Sequence, residues 1–342
     1  MNESDTRCVT CSAPGNVFLL GEHSVVYERH AIISAIGLRT TVHITASHNN
    51  RIVIESKNYG SSVYSLRKLS SLKFANHNDY SNVLDPSLDL ISSVYNEYNL
   101  TGGVVISISS EIPRSSGGMS SSTALLVSLL GALNEYFSLK IDVGKYFDLL
   151  YPFQVKIHGG AASGSELISS LYGGVHKIKI DKTAKLPVVE HEKITNVNFL
   201  LGLIDTNVEA KTSNTVPWIR NGWILDKDAY ELVFDAIEAI VLKGVAALKG
   251  NQLERLGTLM TENQSLLACD LGISHPRIND ILKHKDKDLI YGGKLSGGGG
   301  GGIIVCLLKS SNSYESISRS KMYLNNLLVT KSEKAGKITE CN

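Results

Sequence analysis

Residues 115 to 122 read Ser115-Ser116-Gly117-Gly118-Met119-Ser120-Ser121-Ser122 and run directly into the apolar-periodic segment Thr123 to Phe137. Small and hydroxyl-bearing residues at the mouth of a helix suit the binding of a phosphate. The first four backbone N–H groups of a helix lack internal partners, and the summed peptide dipoles leave positive potential there. Glycines let the main chain approach an anion. Serine hydroxyls add donors, cap the helix, or hold a magnesium ion that rides on the phosphates. The dipole alone contributes only about 0.3–1 kcal/mol, so several donors must converge for useful affinity. A plain Ser/Gly helix cap would produce much of the same pattern, and no G-K-[ST] closes the stretch as in a Walker loop.

Two further clusters are built from the same residue types. "CSAPGNVFLLGEHSVVY", residues 11 to 27, is a small-residue turn and a buried strand followed by Gly21, Glu22 and His23. Taken alone, it reads as a tight connection with Glu22 and His23 in solvent. "GGKLSGGGGGG", residues 292 to 302, abuts the apolar IIVCLL. A flexible linker is normally followed by polar sequence, so this run reads as a rigid turn in close backbone contact with something else.

The elements that must position these clusters follow from periodicity. Strands are expected at Cys8–Ser12, Val17–Leu20, Thr41–Ala46, Arg51–Ser56, Gly103–Ile112, Tyr172–Ile180 and Phe199–Asp205, with IIVCLL as another. Helices are expected at Leu88–Tyr98, Ser120–Phe137, Val143–Val155, Ala229–Lys249 and Leu253–Cys269, with a shorter one after Pro276. Pro152 should kink or end the third of these. Strands and helices that mix without strict alternation predict an α+β protein in two lobes, 1–175 and 176–342.

Composition bounds the partners. With 342 residues, 43% hydrophobic and 20% charged, the chain supports two proper cores and is not of the disordered class. Thirty-four basic against 33 acidic side chains leave a net charge of +1, which predicts no nucleic-acid or membrane partner. No stretch reaches the roughly 18 apolar residues of a membrane span, and a cytoplasmic location is expected. The five cysteines lack the density of a disulfide scaffold, and in a strand Cys8 and Cys11 would point to opposite faces. The ten histidines show no H-E-x-x-H spacing.

"SAPGN…LLGEHSVVY", "EIPRSSGGMSSSTALLVSLLGALNEYF" and "GGKLSGGGGGGIIV", in that order, resemble the three signature motifs of the GHMP kinases, nearest to the members that phosphorylate mevalonate. "HGGAASGSELISSLYGG", "DTNVEAKTSN" and "LMTENQSLLACDLGIS" extend the resemblance over Cys11 to Leu307. It implies a ribosomal-protein-S5-domain-2-like amino-terminal lobe and a ferredoxin-like carboxy-terminal lobe, with ATP as co-substrate in the cleft, accompanied by Mg2+. The activity implied is transfer of the γ-phosphoryl group of ATP to mevalonate, giving 5-phosphomevalonate for isoprenoid synthesis. By the same resemblance Pro113, Ser115, Ser116, Gly117, Gly118, Met119, Ser120, Ser121 and Ser122 wrap the phosphates, with Ser121 on magnesium. Gly297, Gly298 and Gly299 shape the neighbouring wall, Glu22 and His23 line the acceptor pocket, and Thr206 and Thr212 flank it. A homodimer through the two long carboxy-terminal helices is one candidate assembly.

The chain departs from the family at the reacting centre. Asn16 stands where relatives generally carry a lysine, and Glu166, aligned on "SSLYGG", stands where they carry the catalytic aspartate. The upstream metal-binding glutamate is replaced by Gln154 or Val155, and G-L-G-S-S has become Gly117 to Ser121. A glutamate moves the carboxylate by about one bond, ~1.5 Å, relative to aspartate. Lys156 and Lys211 are candidates to replace the lost cation. Three readings therefore stay open: a mevalonate-phosphorylating enzyme with Glu166 and Asn16 at the catalytic centre, a family kinase for a phosphorylated mevalonate or a sugar, and a nucleotide-binding relative with little catalysis.

Overall fold

The structure, a computed structural model, describes residues 7–341 apart from 48–49, 58–59, 75–79, 81, 114–116, 161, 182–186, 211 and 311–326. The first part of the chain forms β1 (Val9–Leu20), β2 (Ala31–Ala46), β3 (Arg51–Ser56), β4 (Gly60–Ser65), α1 (Leu66–Ser70), α2 (Asp85–Glu97), β5 (Val104–Ser110), α3 (Ser121–Tyr136), α4 (Tyr146–Ile157), α5 (Ser165–Tyr172), β6 (Val175–Asp181) and β7 (Val188–Ile194). There follow β8 (Leu200–Asp205), α6 (Thr212–Leu225), α7 (Lys227–Lys249), α8 (Leu253–Ser265), α9 (Pro276–Lys283), β9 (Ile290–Ser296), β10 (Ile303–Leu308), β11 (Leu327–Lys331) and β12 (Ile338–Cys341).

The α+β reading holds, with one sheet in each lobe. The first runs β12-β1-β2-β5-β3-β4, with β6 and β7 added beside β2, and only β3 and β5 pair in parallel among its described ladders. β2 is 16 residues long because it serves two neighbours: Ala31–Ser34 pair with β6 and Thr40–Ala46 with β5. Its first half, AIISAIGLRT, is buried on both faces from Ala31 to Ile36 and so shows none of the alternation that marks a strand in sequence. The pairing of β6 with β2 also corrects the expected division at residue 175: the first sheet continues through Ile194, and β12 returns to it from the end of the chain.

α3 packs on β1 and β2 and is buried nearly all round, through Ala124, Leu126, Val127, Leu129, Leu130 and Leu133, rather than along a single stripe. α4 continues through Pro152 to Ile157 instead of ending there. Pro152 is exposed, as is Asp148 one turn earlier, so the carbonyl deprived of its amide partner faces water.

The second sheet, β11-β8-β10-β9, is antiparallel throughout, and β10 is buried at every position. Its core is continuous with that of the first lobe: Leu19, Leu20 and Ile32 share a cluster with Phe234, Ile237 and Val305. α8 lies on β9 so closely that a Cβ on Gly292 would stand 1.8 Å from the carbonyl oxygen of Gly257. Gly292→Val should therefore lower stability by more than the roughly 1–3 kcal/mol usual for overpacking, because backbone rather than a side chain must yield. Urea unfolding followed by intrinsic fluorescence measures it.

Candidate active site

The three small-residue clusters meet, and one hydroxyl ties them together. The backbone N–H of Phe18, in the first cluster, donates to Ser296 Oγ at 3.2 Å, and that hydroxyl donates to the Gly118 carbonyl at 3.2 Å. Gly118 has φ +101°, and a Cβ there would lie 2.6 Å from the Ser296 carbonyl oxygen, so only a bare main chain lets the second and third clusters touch. The Asn16 N–H donates to the Met119 carbonyl at 3.2 Å across a register shift in β1.

Between these turns lies a cavity of about 270 Å³. Gly117 to Ser122 bound one side and Gly297 and Gly298 the other, with Glu166 and His158 also in its wall. Pro113 lines it from the loop, Ser121 is exposed, and Met119 is buried. Its lining also carries the apolar Val83, Leu84, Pro86, Ile108 and Ile112, interspersed with Thr40, Ser56, Ser87 and Ser110. A ligand with a flat apolar end and a polyanionic end matches this lining, since the free first-turn amides of α3 stand at the mouth. Ser115 and Ser116 lie outside the described residues.

Glu166 sits in the first turn of α5, which Asn16 pins to β1: its Nδ2 donates to the Glu166 carbonyl at 3.2 Å and to Ser170 Oγ at 3.1 Å. Asn16 thus holds the backbone of the acid and does not contact its carboxylate, as a lysine partner would. The carboxylate, with 15% of the side chain exposed, accepts hydrogen bonds from Ser120 Oγ at 3.0 Å on Oε1, and from Gln154 Nε2 at 2.5 Å and His158 Nε2 at 3.0 Å on Oε2. Burial alone would raise the Glu166 carboxyl, but the neighbouring His158 charge and the hydrogen bonds from His158, Ser120 and Gln154 together outweigh it and hold the group below the usual carboxylate range. Burial likewise works against the His158 charge, and Glu166 reverses it, so the imidazole is lifted above its ordinary value.

Other expected residues are engaged elsewhere. Glu22, expected against a substrate, is only 2% exposed and forms an ion pair with the fully buried Lys294, which also donates to the Leu295 carbonyl at 2.6 Å. A carboxylate so placed braces the floor beneath the glycine run instead of lining the cavity. His23 holds the wall, its Nε2–H donating to the Gly298 carbonyl at 3.0 Å, and burial pulls its pKa down to about 4. Thr206 is buried and donates to the Gly302 carbonyl at 2.6 Å, so its hydroxyl fixes the same loop from below. Gly299 packs under Ile273 in that loop, and Thr212 opens α6, its side chain outside the described residues.

Lys156 does not replace the missing cation. Its Nζ donates to Asp89 Oδ2 and the Phe74 carbonyl, both at 2.6 Å, and Asp89 also takes a bond from Tyr80 at 2.7 Å. Lys211 lies outside the described residues. Sequence reasoning passed over His158, although its i,i+4 spacing from Gln154 puts both on one face of a helical segment. No group of three or more metal-ligating His, Cys, Asp or Glu side chains occurs among the described residues, and no helix there is long and apolar enough to cross a membrane.

Comparison with known proteins adds an independent line. The GHMP kinases N terminal domain model matches residues 88–174, and the GHMP kinases C terminal model matches 245–320. Relatives named mevalonate kinase from Archaeoglobus fulgidus and Thermococcus sibiricus are 33% and 30% identical, over 78% and 84% of this chain and 81% and 86% of their own lengths. The crystal structure of the Methanococcus jannaschii mevalonate kinase has the same fold, with TM-score 0.77 and 23% identity over 95% of this chain and 98% of that one.

Because Lys156 serves Asp89, Lys156→Met should cost on the order of 1–3 kcal/mol, the penalty for stranding a buried hydrogen-bonding group. ATP affinity measured by calorimetry should stay within about twofold, as for independent sites.

Proposed function

The chain belongs to the GHMP kinases and is an ATP-dependent kinase, and from that premise we propose that it phosphorylates a hydroxyl of mevalonate to give 5-phosphomevalonate. The observation that carries the chemistry is the Glu166 carboxylate in the cavity wall, bonded to Ser120 of the loop that opens α3. The relatives named for mevalonate favour that acceptor over a sugar.

Phosphoryl transfer through a loose transition state needs alignment and charge compensation more than covalent help from the protein. The first-turn amides of α3 and the glycine turns grip the triphosphate, and its base meets the apolar side chains of the lining. The acceptor hydroxyl meets Glu166, which orients it and takes its proton as the oxygen bonds to the γ-phosphorus and the bond to ADP breaks. Buried Asn16 keeps α5 in register with the loop, so the acid and the phosphate share one frame.

Magnesium fits as an ion that arrives on the nucleotide. Ser121, exposed at the helix mouth, is the hydroxyl that would help hold it, while Gln154 donates its amide to Glu166, a bond that a ligating glutamate could not make. When bound, the ion neutralises charge on the phosphates.

A coupled ADP-release assay across mevalonate, its 3- and 5-phosphates, homoserine and galactose should give the highest kcat/KM with mevalonate; a higher value with another alcohol would reassign the acceptor. Glu166→Gln should lower kcat by about 10²–10⁴-fold, the usual contribution of a positioned base, with ATP affinity nearly unchanged. Full turnover in that variant would remove the acid from the mechanism.

A further inference from the structure

Among the described residues that line the cavity, His158 is the one basic side chain, and its imidazole lies 3.0 Å from Glu166 Oε2. It stands near the end of α4, one turn beyond Gln154, so both side chains reach the same carboxylate oxygen. A carboxylate has about four lone-pair sites. Gln154 and His158 fill those of Oε2, whereas Oε1 takes only Ser120. One acceptor position is left, on Oε1, for a substrate hydroxyl.

We propose that His158 is a positioning residue that takes over the missing lysine's part, supplying the positive charge that locks Glu166 Oε2 and presents Oε1 to the acceptor alcohol. This rests on the phosphoryl-transfer reading above. Among the described residues, the surroundings leave the task to His158. On its own helix, Lys156 is held by Asp89 of α2, which also binds Tyr80. Glu166 is the one charged residue of α5, and in α3 the one charged residue, Glu135, lies in the last turn, far from the cavity. Asp142 and Lys145 precede the opposite end of α4.

Lysine keeps its charge to about pH 10, but an imidazole does not. The substitution therefore makes catalysis sensitive to alkali. His158 is protonated below its folded pKa, which Glu166 raises above 6.5, and loses the proton as pH rises through it. Activity should be full where Glu166 is ionised and His158 charged, then fall along an alkaline limb.

The test measures kcat/KM for the best acceptor across pH in the wild type, His158→Gln and His158→Lys, alongside NMR titration of the His158 ring without substrate. His158→Gln should lose the alkaline limb and about 10²-fold in kcat, the scale of a misplacement near 1 Å, with ATP affinity nearly unchanged. His158→Lys should move the limb to higher pH and recover part of the rate. In the NMR arm, Glu166→Gln should bring the His158 pKa down. An unaltered limb with full kcat in His158→Gln, or a His158 pKa indifferent to Glu166→Gln, would overturn the proposal. If the wild type releases no ADP with mevalonate, the acceptor assignment fails, and the NMR arm still decides the pairing.

Discussion

A carboxylate kept ionised while largely withdrawn from water is the constraint on which the rest of this structure depends. Removing Glu166 from solvent penalises its charge, and the penalty is tolerable only because three donors converge on it, Ser120 from the loop before α3 and Gln154 and His158 from α4 and its end. That convergence fixes the geometry of α4, α5 and the loop before α3 at once. None of the three elements can shift without breaking a bond to a buried charge. The result is a preorganised acid whose position is set by folding rather than by substrate.

The glycine-rich turns serve a complementary purpose. Their contacts are main chain to main chain, bridged by Ser296 and steadied from beneath by His23, Thr206 and the Glu22–Lys294 pair. Side chains that could have faced a ligand are spent instead on holding a surface of backbone amides. Such a surface suits phosphate, which is read by N–H groups and tolerates little side-chain bulk.

How much of this could be read from the sequence follows the range of the interactions. The three clusters were legible because a run of glycines and serines is a local signature, whereas Glu166 was reached only through the family resemblance, aligned on "SSLYGG". The helix at Ser121–Tyr136 and the strand Ile303–Leu308 were equally plain from periodicity. The first half of β2 was not, since its burial on both faces erases alternation. Glu22 was assigned to a substrate because its partner, Lys294, is 272 residues away and nothing local announces it. His158 escaped notice for a related reason: its role depends on α4 continuing past Pro152, which was expected to kink or end it, and on a carboxylate of another element.

The return of β12 to the first sheet has a mechanical corollary. The chain passes between the lobes twice, at 195–199 and again at 332–337, and the second passage is stitched to β2 where Gly37 donates to Thr330 and Glu333 to Ala35. Because the chain crosses twice and the two lobes share one hydrophobic core, separating them would require stripping β12 from β1 as well as exposing that core.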